Sequence, residues 1–166
     1  MTEEDRLIAK HRANGLLIDS NLLVLLLVGR ANPARIANFK RTSAYDRADY
    51  RLLEEFISVF DRRLTTPHIL TEVSNLVSLS GGESVRARAL TKDFVEMADE
   101  LFESSRVVVK DHVFPGLGLT DDAIAKLGAN ALVITDDFAL YGSLAQRGID
   151  TINFSQMRSV GWRLNR

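Results

Sequence analysis

Acidic side chains recur at four points in this chain where an apolar run has just ended or a helix is about to begin. Asp19 closes Gly15-Leu16-Leu17-Ile18, and Glu72 follows Ile69-Leu70-Thr71. Asp121 and Asp122 follow Gly118-Leu119-Thr120, and Asp136 and Asp137 close Leu132-Val133-Ile134-Thr135. Carboxylates gathered in one place repel one another, which raises some of their pKa values, and a divalent cation relieves that cost. An all-oxygen ligand set favours Mg²⁺ or Mn²⁺ over zinc. Such a site suits phosphodiester hydrolysis, because a metal lowers the pKa of bound water and stabilises the charge of the pentacovalent transition state. Each acid also has a structural reading. Asp19 caps a helix, Asp121 or Asp122 complements a helix dipole for about 0.3–1 kcal/mol, and Asp136-Asp137 is a solvated turn. Those readings explain the acids singly and leave their convergence unexplained.

Convergence depends on the elements that carry them. Gly15–Ile18 reads as a buried strand and Leu22–Val28 as the buried face of the next helix. Glu3–Arg12 reads as a polar surface helix, and Tyr45–Arg63 as an amphipathic one with Leu52, Leu53, Phe56, Ile57, Val59 and Phe60 at helical spacing. Thr66–Leu70 is a short strand or strand entry, leading into a helix with Leu70, Val73, Leu76 and Val77 on one face. Gly81-Gly82 breaks that helix. Glu83–Glu103 makes a longer one, with Val85, Leu90, Phe94, Val95, Met97 and Leu101 as apolar contacts. Val107–Val109 is a β-branched strand, Thr120 caps a helix running to about Gly128, and Ala131–Thr135 is a buried strand. Phe138–Arg147 is helical and Thr151–Phe154 is the last strand. Strand–helix alternation with apolar strands implies a three-layer α/β/α fold, its central sheet mostly parallel and of about five strands. In such a sheet, strand C-termini and the following helix N-termini share one edge, so all four acidic stretches come to one rim.

Composition narrows the alternatives. The 166 residues, 46% hydrophobic and 26% charged, suit one domain of ordinary size, with a core over about 15–154 and an N-terminal helix and C-terminal tail as extensions. A net charge of −1 gives no global attraction to nucleic acid or membrane. The absence of cysteine removes disulfides, thiolate zinc and cysteine nucleophiles, and fits a reducing cytoplasm. The acidic start, Met1-Thr2-Glu3-Glu4-Asp5, is unlike a secretory signal, and Leu22–Val28 is too short to span a bilayer. His11, His68 and His112 are scattered and support no Ser–His–Asp arrangement. The glycines of Gly81-Gly82 and Gly116-Leu117-Gly118 lack the spacing of a phosphate-binding fingerprint.

The chain from about Gly15 to Phe154 resembles the PIN-domain family of metal-dependent ribonucleases, which includes the VapC toxins of toxin–antitoxin pairs. Leu17-Ile18-Asp19-Ser20-Asn21 resembles that family's opening strand, and Leu70-Thr71-Glu72-Val73 the surroundings of its second acid. Leu119-Thr120-Asp121-Asp122-Ala123-Ile124-Ala125 resembles the third, where Ile124 and Ala125 favour Asp121. In Val133-Ile134-Thr135-Asp136-Asp137 a Thr-x-Asp pattern points to Asp137. The resemblance implies hydrolysis of single-stranded RNA with Mg²⁺ or Mn²⁺ held by Asp19, Glu72, Asp121 and Asp137. Asp136 and Asp122 are second choices, and Asn21 and Thr135 support from the side. It also implies a homodimer and, for a toxin, an antitoxin protein as partner. The segment from Arg30 to Arg63 is longer than in the compact toxins.

Four further readings accompany this one. Arg30, Arg35, Lys40 and Arg41, with Phe39 among them, form a basic stretch suited to an RNA backbone or simply to solvent. A non-catalytic member of the same fold would bind RNA or protein without metal-dependent cleavage. A phosphoryl-transfer receiver domain would use Asp111 as acceptor, but it needs a Lys after the last strands, and none follows Ile134 or Phe154 closely. Trp162 reads as a packing residue.

Overall fold

The computed structural model describes residues 1–110 and 116–163. Asp111 and His112 lie outside the described residues. Helix α1 (Glu3–His11) precedes β1 (Leu16–Ile18), α2 (Ser20–Ala31), a 3-10 turn (Pro33–Asn38), α3 (Arg47–Ser58) and β2 (Arg63–Thr65). Helices α4 (Pro67–Leu76) and α5 (Gly81–Met97) lead to β3 (Asp99–Glu100), and α6 (Ser105–Val108) and α7 (Leu119–Leu127) lead to β4 (Leu132–Thr135). Then come α8 (Phe138–Gln146), β5 (Thr151–Asn153) and α9 (Phe154–Ser159).

The strands form one parallel sheet in the order β3-β2-β1-β4-β5. The chain lays down β1, β2 and β3 in one direction, then returns past β1 to place β4 and β5. Right-handed crossovers therefore put the helices of the two halves on opposite faces, giving the α/β/α layering. Every residue of β1 and β4 is buried, as expected of apolar runs in a sheet covered on both sides. Leu17 pairs with Val133 and Ile18 with Ile134, so the ends of the two strands are level.

Helix α2 is the central helix of the core. Leu22 to Gly29 are all buried, and α2 packs on α3, α4, α5 and β4. Gly29 is required where α3 crosses, since a Cβ there would stand 2.3 Å from Cδ2 of Tyr50. Trp162 is buried and meets Phe56 edge-on, with ring centroids 5.5 Å apart. At the other terminus α1 is tied down by Asp150, whose Oδ2 accepts from Lys10 Nζ at 2.6 Å and lies 2.7 Å from His11 Nε2. These two partners hold the Asp150 carboxyl below its usual range. No helix among the described residues is long and apolar enough to cross a membrane.

Several sequence expectations are corrected. Val107–Val109 does not form a strand: its first two residues close the short helix α6, where Val108 is buried while Val109 is 39% exposed. The third strand is instead Asp99–Glu100, two exposed acids paired to β2 and secured by a 2.7 Å contact from Arg62 Nε to Asp99 Oδ2. A β-branched run is a weaker guide than the backbone pairing an edge can supply. Helix α5 accordingly ends at Met97. Of its expected contacts Phe94 is buried, whereas Val85, Val95 and Met97 are exposed. The strand expected at Thr66–Leu70 lies earlier, at Arg63–Thr65. Thr66 caps α4 by accepting from Ile69 N, and Pro67 takes the first helical position, which needs no N–H. Thr120 lies inside α7, whose N-cap is Gly118 with no side-chain cap.

Candidate functional site

In an open parallel sheet the ligand crevice lies beyond the strand C-termini at the point where strand order reverses. Here that point is between β1 and β4, and the residues that follow them are Asp19 and Asp136-Asp137. Asp19 is the N-cap of α2. One carboxylate oxygen accepts from Ser20 N at 2.6 Å, and the other from Thr135 Oγ1 at 2.6 Å. The capping reading is therefore half the account, since the second oxygen belongs to a network across the strands. Asp19 is only 5% exposed. Burial pushes its pKa up to about 7 against the two hydrogen bonds that lower it, and the charges of Asp121 and Asp136 add to the rise.

Other acids lie within electrostatic reach of it and of one another. Ser20 Oγ donates to Glu72 Oε2 at 3.1 Å, linking the start of α2 to α4. Asp121, in the first turn of α7, has its pKa raised to about 6 by burial and then by the charges of Asp137, Glu72 and Asp122. Asp122, beside it, is fully buried. Asp137 is exposed and caps α8, with Oδ1 accepting from Ala139 N at 2.7 Å and Leu140 N at 3.0 Å. Its own N–H donates to Thr135 Oγ1 at 3.0 Å, so one threonine hydroxyl joins Asp19 and Asp137. Asp136 is half-buried, and its Oδ1 is buried with no hydrogen-bond partner among the described residues.

Two members of this network escape sequence reasoning. Ser20 sits inside the motif around Asp19, but its bond to Glu72 spans 52 positions. Tyr45 comes from the long segment before α3 and donates its hydroxyl to Asp136 Oδ2. Its ring packs on Phe154 and lies 5.2 Å from the Arg158 guanidinium, whose Nε is 2.7 Å from Asp49 Oδ1. Burial and the Asp136 carboxylate push the phenol well above its ordinary pKa, so Tyr45 is a neutral donor. The only signal in the sequence is an aromatic just before the Asp46–Asp49 capping box, which is local and says nothing of Asp136. Tyr45→Phe keeps the ring and leaves Asp136 Oδ2 without its donor. Its expected cost is about 1–3 kcal/mol, read from urea unfolding at neutral pH, and an unchanged midpoint would refute the bond.

Asn21 is exposed in the first turn of α2 and makes no side-chain hydrogen bond among the described residues. Of the basic stretch, Arg30 is paired with Glu54 at 3.0 Å and Arg35 with Glu83 at 2.9 Å, whereas Lys40 and Arg41 are exposed. The donors round the crevice are carboxylate oxygens, and burial together with neighbouring carboxylates raises the pKa of two of them, Asp19 and Asp121. With a buried Asp136 oxygen lacking any donor among the described residues, this is a set that fits a hard divalent cation in kind. Among the described residues no three such side chains are drawn tightly round one point, in keeping with carboxylates that repel. No family model matches the sequence, and no curated protein matches it.

Proposed function

We propose that the chain is a Mg²⁺- or Mn²⁺-dependent endoribonuclease of PIN type that cleaves single-stranded RNA in the cytoplasm. As a toxin it would act as a homodimer restrained by an antitoxin protein. The observation that carries this reading is the placement of acids from separate segments at one edge of the sheet, with Asp19 after β1, Asp136 and Asp137 after β4, and Glu72 joined to Ser20 beside Asp19. Burial first, and then the charges of neighbouring acids, holds Asp19 and Asp121 above the usual carboxylate range. Helix capping alone does not require acids to face one another.

When bound, the cation supplies charge for the transition state and a water of lowered pKa. Asp19, Glu72, Asp121 and Asp137 would hold it directly or through water. Thr135 fixes the plane of the Asp19 carboxylate, Ser20 steers Glu72, and Tyr45 orients Asp136. Their oxygens accept hydrogen bonds from the attacking water, which adds across the P–O bond that breaks. The test is cleavage of a mixed single-stranded RNA with Mn²⁺, with EDTA, and by Asp121→Asn protein. Cutting by the wild type with metal alone is expected. RNA bound but never cut by folded protein would leave the non-catalytic module instead.

The paired state of Arg30 and Arg35 leaves Lys40 and Arg41 to meet phosphates. Lys40→Ala with Arg41→Ala is expected to weaken RNA binding and to reduce the salt slope of log K by about 1.4, two phosphates at roughly 0.7 each. Anisotropy titrations at several salt concentrations measure it. An unchanged slope would assign these residues to solvent.

A further inference from the structure

Beside the acids, helices α4 and α7 flank a shallow, open groove of about 380 Å³. We infer that this groove is a nucleobase subsite, which holds one unstacked base of single-stranded RNA next to the bond to be cut. The inference rests on the proposed nuclease reading and adds where the substrate's sequence is read.

Position is the first argument. Glu72 forms part of the groove wall, and Thr120 on the facing helix immediately precedes Asp121. A base lodged here belongs to a nucleotide adjoining the carboxylate cluster.

The lining then selects among the parts of a nucleotide. Among the described residues no Lys or Arg lines the groove and one carboxylate does, so a phosphate is repelled while a neutral base is not. Pro67 and Leu119 offer apolar surface to a flat ring. Polar groups at its margins suit a base edge. Asn75 is exposed, with an amide that both donates and accepts, the complement that nucleobases present. Thr71 gives its hydroxyl proton to Pro67 O at 2.8 Å, which leaves its oxygen as an acceptor. His68 bonds weakly to Ser105 Oγ through Nε2 at 3.3 Å, while its Nδ1 is buried with no hydrogen-bond partner among the described residues. Sequence-specific readers of single-stranded RNA hold an unstacked base by its face and by hydrogen bonds to its edge, and here Pro67 and Leu119 supply the face contact.

The experiment titrates the isotope-labelled full chain, without metal, with each of the four uncharged ribonucleosides. The Asn75 side-chain amide and the Thr71 and Thr120 backbone amides are followed by NMR. Saturable shifts with at least one nucleoside are expected, weakened at least about fivefold in Asn75→Ala, a substitution an exposed helix position tolerates. Cleavage with Mn²⁺ gives the second readout. Asn75→Ala is expected to lower kcat/KM about tenfold on RNA bearing the favoured base, the worth of one hydrogen bond, and to leave unchanged the same RNA made abasic at that nucleotide. No shift with any nucleoside at millimolar concentration, or equal cleavage of the intact and abasic RNAs, would overturn the subsite. Nucleoside shifts in a protein that cuts no RNA would sink the nuclease reading and keep the base-binding groove.

Discussion

Asp19→Asn is expected to abolish activity and, in metal-free buffer at pH 8, to make the protein more stable. The two effects have one origin. Burial raises the Asp19 pKa from 3.8 to about 7. Between these values the unfolded chain has lost the proton while the folded chain keeps it, so stability falls as pH rises through the window. Below pH 3.8 both states are protonated and nothing is lost; above pH 7 the full cost of the buried charge is present. Asparagine has nearly the same shape, accepts from Ser20 N, and never ionises. The gain at pH 8 is on the order of a few kcal/mol, and each kcal/mol moves Tm by about 2–4 °C in a chain of this size. At pH 4 the two proteins should melt nearly together. Mn²⁺ at pH 8 should raise the wild-type Tm and not the variant's, because only binding to the folded state stabilises. RNA cleavage should fall at least about 10²–10³-fold, the scale of removing one preorganised electrostatic group. A variant that melts below the wild type at pH 8 would mean that Asp19 is a structural cap and nothing more.

The second large effect is expected at Gly29, far from the acids. In a generic helix Gly→Ala is a gain of about 1 kcal/mol. Here the added Cβ would meet Tyr50 at 2.3 Å from Cδ2 and 2.6 Å from Cε2, closer than real contacts allow. The ring cannot easily yield: Tyr50 is 9% exposed, and the Arg30–Glu54 ion pair, 3.0 Å long, lies beside it. Gly29→Ala should therefore destabilise by about 1–3 kcal/mol, the usual cost of overpacking, with α3 displaced from α2. Tyr45 lies two residues before α3, so its hydroxyl should leave Asp136 and Mn²⁺ affinity should fall as well. Urea unfolding of Gly29→Ala, Tyr50→Ala and the double variant checks this. The alanine at 29 should cost far less once the ring is gone, a coupling of about 1–3 kcal/mol. An equally stable Gly29→Ala would disprove the close crossing.

What could be read from sequence divides along physical lines. β1 and β4 are legible because central parallel strands must be apolar throughout, and Asp19 and Asp136 mark where those runs stop. Parallel topology then brings the ends to one rim with no knowledge of side-chain contacts. The edge strand is illegible for the opposite reason. Asp99 and Glu100 bury nothing, so they carry no pattern, while Val107–Val109 carries a strand-like one that the fold resolves as a helix turn. Thr120 has the chemistry of a cap, but Gly118 takes the position. Tyr45 is invisible because its partner is 91 residues away. The basic stretch misleads in part: charges are visible in sequence, and the acids that neutralise Arg30 and Arg35 are not, since Glu54 and Glu83 lie on later helices.

The two-residue β3 also decides how other chains can approach. A sheet edge is a template on which a foreign strand can add by backbone pairing, the route to aggregation and to strand-donation complexes. Here the outermost strand on that side is too short to register a guest, and both its side chains are exposed carboxylates. A strand offered along this edge would find two pairing residues and like charge for any acidic segment. Association on this side of the sheet is thereby turned away from strand addition.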